Sequence, residues 1–204
     1  MDFMSMQSIC DIINYGDGMI LEAIILAAIV LFFLKDKDIS NLINFKFKGI
    51  SLASIGIFLM IFINFVTSKY FGKVTDFFVD NFKIFHILSI LLIGISLLLN
   101  YKNYGLLLSG AGTILNAIPV IFNGKMPVSI DALMKTNNER IIKIIYMGGS
   151  LSHGIFENPK FYFLSDIIPL HRIVGNSKVI SIGDIFISIG LFFAIILISR
   201  KRGV

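Results

Sequence analysis

The chain has 204 residues, of which 56% are apolar, with a mean hydropathy of +0.86 and a net charge of +5. A soluble fold of this size cannot take long apolar stretches into its interior without leaving large apolar patches outside. That excludes a soluble domain and points to a single membrane domain over 1–204. The basic excess falls in loops and flanks, where it sets topology and attracts anionic lipid; nucleic acid is not an expected partner.

The first eighteen residues carry Asp2, Asp11 and Asp17 and no Lys or Arg. A secretory signal needs a basic start, so the first apolar helix is expected to be retained. Cys10 is the one cysteine, which excludes an intrachain disulfide and a cysteine-rich metal site. No apolar run precedes it, so it does not resemble a lipoprotein anchor.

An apolar stretch of about 17–25 residues spans a bilayer. The pattern predicts five such helices, making an all-α polytopic membrane protein. They are Met19–Leu34, closed by Lys35-Asp36-Lys37-Asp38, then Gly49–Ser68, Ile84–Leu99, Tyr104–Phe122 and Ile182–Ser199. Phe45-Lys46-Phe47-Lys48 reads as an interfacial segment with lysines toward headgroups. Asn100-Tyr101-Lys102-Asn103 is so short a link that the third and fourth helices are antiparallel neighbours. Small residues recur four apart at Gly105, Ser109, Thr113 and Ala117, and at Gly190 and Ala194, which suits close helix packing in lipid.

Lys35, Lys37, Lys46, Lys48, Lys102, Arg200, Lys201 and Arg202 gather on one side of this arrangement. The other short segments carry only Lys69, Lys73 and Lys83. The bias places the N-terminus outside and the C-terminus in the cytoplasm of a bacterial plasma membrane. Segment 123–181 is then external.

Polar groups inside the apolar helices crowd toward the outer end. Glu22, Asn64, His86 and Asp184 lie near it, and Asn116 lies under two turns below it. Pro119 follows, removing the hydrogen bond to the Leu115 carbonyl and tending to bend the helix. Lys83 and Lys125 border the same rim. Ionisable groups in such helices mark candidate sites. They also snorkel, pair with lysines or join helices, and packing alone is a sufficient explanation of them. Proton relay, divalent-ion binding and recognition of a polar head are the three chemistries open to carboxylates with an imidazole. No metal motif, such as H-E-x-x-H, and no cofactor motif is present.

The external segment is too apolar for a solvated loop. Ser129, before Ile130-Asp131, is a candidate N-cap, and Thr136-Asn137-Asn138-Glu139 has the spacing of a capping box. The second helix would run from Arg140 to Met147 and stop at Gly148-Gly149. Its isoleucines predict that it lies on the bilayer surface or on the bundle. Phe161-Tyr162-Phe163-Leu164 and Ile167-Ile168-Pro169-Leu170 add to the apolar content. The expectation is a lid of short interfacial helices, in part re-entrant, over the helix ends.

The stretch from Leu115-Asn116-Ala117-Ile118-Pro119 through Asn123-Gly124-Lys125-Met126-Pro127-Val128-Ser129 resembles the signature of an uncharacterised bacterial family of small multi-pass membrane proteins. Leu164-Ser165-Asp166-Ile167-Ile168-Pro169-Leu170 and Ile180-Ser181-Ile182-Gly183-Asp184 are similar to two later pieces of that family, and Ser152-His153 to a third. Members often show an extra glycine in the asparagine-glycine turn, whereas here Lys125 follows Gly124 directly. The resemblance implies architecture and no activity. Read physically, Asn123-Gly124 ends a helix with glycine at positive φ, and its free amides are candidates for contact with a polar ligand.

These features single out Asn116, Asn123, Gly124, Asp184, His86, Glu22, Asn64, Asp166 and His153 as candidate ligand-binding residues. The leading reading is an integral membrane protein that binds a lipid, a small molecule or a membrane-protein partner in an outer polar cavity. The alternative is a membrane-embedded enzyme acting on a lipid or peptide, with Glu22, His86, Asp166 and Asp184 as acid–base groups. A small transporter, or a subunit of a membrane complex, is the third.

Overall fold

The computed structural model describes residues 18–171 and 176–200. Asp2, Cys10, Asp11, Asp17, Lys201 and Arg202 lie outside the described residues. The helical elements before the connecting segment are α1 (Gly18–Phe33), α2 (Ser40–Ile43), α3 (Ile50–Ser68), α4 (Lys73–Asp80), α5 (Phe82–Leu98) and α6 (Tyr104–Asn123). Then come β1 (Met126–Pro127), α7 (Ile130–Met134), α8 (Glu139–Tyr146), β2 (His153–Gly154), a 3-10 turn (Tyr162–Leu164), β3 (Ile168–Leu170), β4 (Lys178–Ile180) and α9 (Ile182–Ser199).

The long helices pack as a row, α1 on α9, α9 on α6, α6 on α5 and α5 on α3. Their outer faces are apolar and open: Phe32, Phe33 and Phe58 are 76%, 75% and 68% exposed. Such faces suit lipid and not water. Three helices, α3, α6 and α9, are long and apolar enough to cross a membrane, and α4 with α5 makes a fourth if the pair, bent by 65°, counts as one span. The first predicted span, Met19–Leu34, is shorter than these. At 1.5 Å per residue the 16-residue α1 reaches about 24 Å, against a hydrocarbon core of about 30 Å.

The sequence reading also leaves out α4. Thr75 explains the turn before it, because its hydroxyl accepts from Phe71 N at 2.8 Å and lies 3.0 Å from the Lys69 carbonyl. Gly72 takes a φ of 61° at the same place. The helix is then held by rings: Phe78 meets Phe62 at 5.4 Å and Phe85 at 5.1 Å between centroids.

Helices α6 and α9 approach closely through glycine. A Cβ on Gly105 would run into the Ala194 backbone, one on Gly190 into Ser109, and one on Gly112 into the Gly183 carbonyl. The four-residue stripe expected on α6 divides between two partners. Gly105 and Ser109 face α9, whereas the Thr113 methyl lies against Gly94 of α5. A stripe with a spacing of four drifts around a helix of 3.6 residues per turn, and Gly112 continues the α9 face instead.

The segment from Gly124 to Ser181 is not made of short helices alone, which corrects the all-α expectation. It holds a parallel β1–β2 pair and an antiparallel β3–β4 pair. It also has its own small core of Val128, Ala132, Leu133, Ile141, Ile145 and Val179. The α8 isoleucines Ile141 and Ile145 are therefore turned into that core rather than spread on a surface. Ser129 caps α7 as expected, accepting from Ala132 N at 3.3 Å. Asn138, not Thr136, caps α8 by accepting from Ile141 N at 3.3 Å, while the Thr136 hydroxyl donates to the Leu133 carbonyl at 2.7 Å. The 3-10 turn rests against α6 and α9.

Candidate functional site

The Met-Pro-Val-Ser stretch is the middle strand of a small three-part arrangement. On one edge Met126 N donates to the Ser152 carbonyl at 2.8 Å and Val128 N to the Gly154 carbonyl at 2.9 Å. On the other edge Asp166 N donates to the Pro127 carbonyl at 3.0 Å and Ser129 N to the Asp166 carbonyl at 2.9 Å. Proline lacks an N–H, so only its carbonyl is needed at that place. The register sets His153 beside Met126 and Asp166 beside Val128, two positions along one strand. Residues two apart on a strand share a face.

The result is a direct contact. His153 Nε2 lies 3.4 Å from Asp166 Oδ2, and the Asp166 side chain is 5% exposed. The other ring nitrogen, Nδ1, lies 2.8 Å from Ser152 Oγ. Ser150 holds the chain here, its hydroxyl accepting from His153 N at 3.1 Å. The Lys125 ammonium donates to the Ser150 carbonyl. Lys178 of β4 is buried beside this group.

Burial drives the pair toward neutral forms. It lowers the His153 imidazole to about 4, helped by His86, Lys125 and Lys178. It raises the Asp166 carboxyl well above its usual range, with Asp184 adding to the effect and Lys178 opposing it. Burial also holds the Lys125 ammonium below its ordinary value. An imidazole and a carboxyl so placed can share one proton and present both a donor and an acceptor to a polar molecule.

A second polar group sits at the start of α9. Asn116 Nδ2 donates to Asp184 Oδ1 at 2.8 Å, and Ser181 Oγ donates to Asn116 Oδ1 at 2.7 Å. Ser181 N donates to Asp184 Oδ2 at 2.9 Å, while Asp184 N donates to Ser181 Oγ at 3.0 Å, closing a capping box. Both Asp184 oxygens are thus engaged with protein donors. Asn123 is likewise occupied: its amide donates to the Pro119 and Lys160 carbonyls at 2.8 and 2.9 Å, and its oxygen accepts from Lys160 N at 2.9 Å. Gly124 takes the expected positive φ, 87°.

The structure therefore brings His153 to Asp166 and Asn116 to Asp184, with Asp184 and His86 near enough to act on the first pair electrostatically. The His86 ring stacks on Phe82 at 5.3 Å. Glu22 is exposed on α1, and Asn64 is half-buried on α3 with no side-chain hydrogen bond among the described residues. Neither joins either group by a hydrogen bond among the described residues. Sequence reasoning missed Ser150 and Lys178. Nothing in Lys178-Val179-Ile180 distinguishes a buried lysine from an edge-strand one, whereas Ser181-x-x-Asp184 carries a visible capping signal. No group of three or more His, Cys, Asp or Glu suited to a metal occurs among the described residues.

A mostly helical chain with several span-length apolar helices, and an acid–imidazole pair held at the end of its bundle, defines a class compatible with a multi-pass membrane protein. The chain belongs to a family of unknown function, DUF5317, whose model matches residues 44–196. Neither curated proteins nor solved structures give a match to it.

Proposed function

We propose that this is a bacterial plasma-membrane protein, N-terminus outside, in which segment 123–181 acts as a lid over the helix ends and its own His153 and Asp166 hold a polar ligand. The 3.4 Å contact between a half-buried imidazole and a buried carboxyl carries this reading. A purely structural buried pair is seldom stabilising by itself, and perturbed titrating groups gather at functional sites. The five-crossing topology is part of the proposal, with α1 tilted little or completed by local thinning of the bilayer.

The ligand is a lipid headgroup, a small molecule or a polar segment of a membrane-protein partner. Native mass spectrometry of the full chain, extracted gently from its own membrane, tests this. The wild type is expected to retain a ligand that His153→Gln and Asp166→Asn lose. A bare wild-type chain, or equal retention in both variants, overturns the reading. Asp184→Ala is a poorer probe, because it also uncaps α9.

One observation favours the enzyme reading in second place. Ser152, His153 and Asp166 form a continuous chain through both ring nitrogens. In such a chain the His153 imidazole can take the Ser152 hydroxyl proton as that oxygen attacks a lipid or peptide carbonyl and return it to the leaving group, while Asp166 orients the ring. Ser152→Ala would then abolish turnover of the ligand and leave its retention intact.

A further inference from the structure

A separate feature lies at the other end of the bundle. α6 starts there and finishes at the acid–imidazole pair, and its 20 residues at 1.5 Å each separate the two by about 30 Å. Here a cavity of about 860 Å³ opens between the 41–48 segment, the α5–α6 turn and the last turn of α9. Among the described residues Lys46, Lys48, Lys102 and Arg200 line it, together with Asn44 and Tyr104, and no carboxylate does. Asp38, the acid nearest in sequence to this wall, turns Oδ1 to Ser40, accepting from its amide at 3.0 Å and its hydroxyl at 2.6 Å.

Among the described residues the four cations have no acceptor of their own. None of their side chains hydrogen-bonds or pairs with an acid among the described residues. Lys37 shows the contrast, because its ammonium donates to the Leu31 and Phe32 carbonyls at 2.7 and 2.8 Å and so closes α1. A basic residue that only completes a helix end finds such carbonyls. The cavity cations do not.

Their backbones are nevertheless fixed. Asn100, 6% exposed, clamps Lys48 from both sides: its oxygen accepts from Lys48 N at 2.8 Å and its amide donates to Lys48 O at 2.9 Å. The Asn41 amide donates to the Arg200 carbonyl at 3.0 Å, and Asp38 N donates to the Ser199 carbonyl at 2.7 Å. Segments far apart in the chain are thus tied so that their positive charges converge on one space. All four residues are exposed, so water screens their mutual repulsion, and an anion seated in the cavity can meet several of them at once. Leu99, Leu197 and Ile198 supply an apolar wall to the same cavity.

We propose that this cavity binds a phosphate-bearing anion. Phosphate offers several oxygens to several cations at once, which a single carboxylate does not. The apolar wall and the neighbouring exposed faces of α1 and α9 suit a phospholipid whose acyl chains run along the bundle, and a free phosphate ester would use the same cations. A juxtamembrane cluster of this size suits recognition of an anionic headgroup.

The full chain is reconstituted in nanodiscs of phosphatidylcholine, with or without phosphatidylglycerol. Thermal unfolding and the lipid retained in native mass spectrometry are then measured. The probes are phosphatidylglycerol and, in phosphatidylcholine alone, inorganic phosphate. Phosphatidylglycerol is expected to be retained and to raise the melting temperature. Lys48→Gln with Lys102→Gln should weaken it roughly thirtyfold, two cations at about 1 kcal/mol each. Lys46→Gln with Lys102→Gln gives a second variant, and both leave the Asn100 clamp in place because it holds the Lys48 backbone. Lys69→Gln with Lys73→Gln, at the opposite end, should change nothing.

Stabilisation by inorganic phosphate without anionic lipid, lost in the same variants, assigns the site to a soluble phosphate ligand. No stabilisation by either probe overturns the proposal, as does binding that both cavity variants retain in full. Because His153 and Asp166 lie at the far end, this result and the outer-ligand result stand or fall separately.

Discussion

Asn116 and Asp184, 68 residues apart in the chain, meet side chain to side chain at 2.8 Å where α6 passes the first turn of α9. Ser181 closes the triangle by donating to Asn116 and accepting from Asp184 N. Each member satisfies another, so removing one leaves a donor or acceptor without a partner. That costs about 1–3 kcal/mol when the group is buried. Asn116→Ala and Asp184→Ala are each expected to lower unfolding stability in detergent by an amount in this range. The double variant should lose less than the sum, with a coupling of about 1 kcal/mol. Strict additivity in the double-mutant cycle would show that the contact does not form.

Glycines at the two contacts of α6, one with α9 and one with α5, give a graded test. On Gly112 a Cβ would meet the Gly183 carbonyl and the Phe186 Cβ, and backbone cannot step aside. On Gly94 it would meet chiefly the Ile114 side-chain tip at 2.7 Å, which can rotate away. Overpacking a filled interface costs about 1–3 kcal/mol. Gly112→Ala should sit at the upper end of that range and Gly94→Ala at or below the lower end. Equal melting temperatures for the two variants would contradict the close α6–α9 approach.

Asn123 joins the last turn of α6 to Lys160, whose ammonium lies 5.9 Å over the Phe122 ring. Phe122 in turn meets Phe161 at 4.8 Å. The side chain therefore anchors the 156–165 stretch more than it offers free amides to a ligand. Asn123→Ala removes these bonds at about 0.5–1.5 kcal/mol net. Hydrogen exchange of residues 158–164 should speed up by as much as about tenfold, with α6 itself little changed. Unaltered protection there would leave Asn123 free for another role.

Much of this architecture is legible in the chain because lipid imposes simple rules on long helices. The bounds of α3, α6 and α9 follow from apolar length, and Ser129 and Gly124 follow from local cap chemistry. What escaped reading is set by contacts between distant segments. α4 looks like a loop until Phe78 is seen between Phe62 and Phe85. The β1 register depends on backbone bonds from Ser152, Gly154 and Asp166, none of which leaves a pattern within Met-Pro-Val-Ser. Asp166 and His153 were visible as candidates, but only that register makes them partners. Asp184 stood out for its charge, and its oxygens turn out to serve the α9 cap and Asn116.

The paired imidazole and carboxyl make opposite contributions to stability as pH changes. The folded His153 titrates near 4 instead of 6.5, so between those values the unfolded chain binds more protons. Its contribution is full above about 6.5 and is lost as pH falls toward 4. Asp166 is raised above 3.8, so the folded chain holds its proton longer, and stability falls as pH rises through that window. Asp166→Asn leaves the histidine effect alone, and its melting temperature should drop as pH falls from 6.5 to 4. His153→Gln leaves the carboxyl effect, and its melting temperature should drop as pH climbs from 4. Both are measured against the double variant, which cancels His86, Lys125, Lys178 and Asp184. A charged ion pair would make wild type more stable than the single variants predict near neutral pH, because each charge would hold the other. Additive single-variant profiles instead mark a neutral pair, with its proton available to whatever occupies the site.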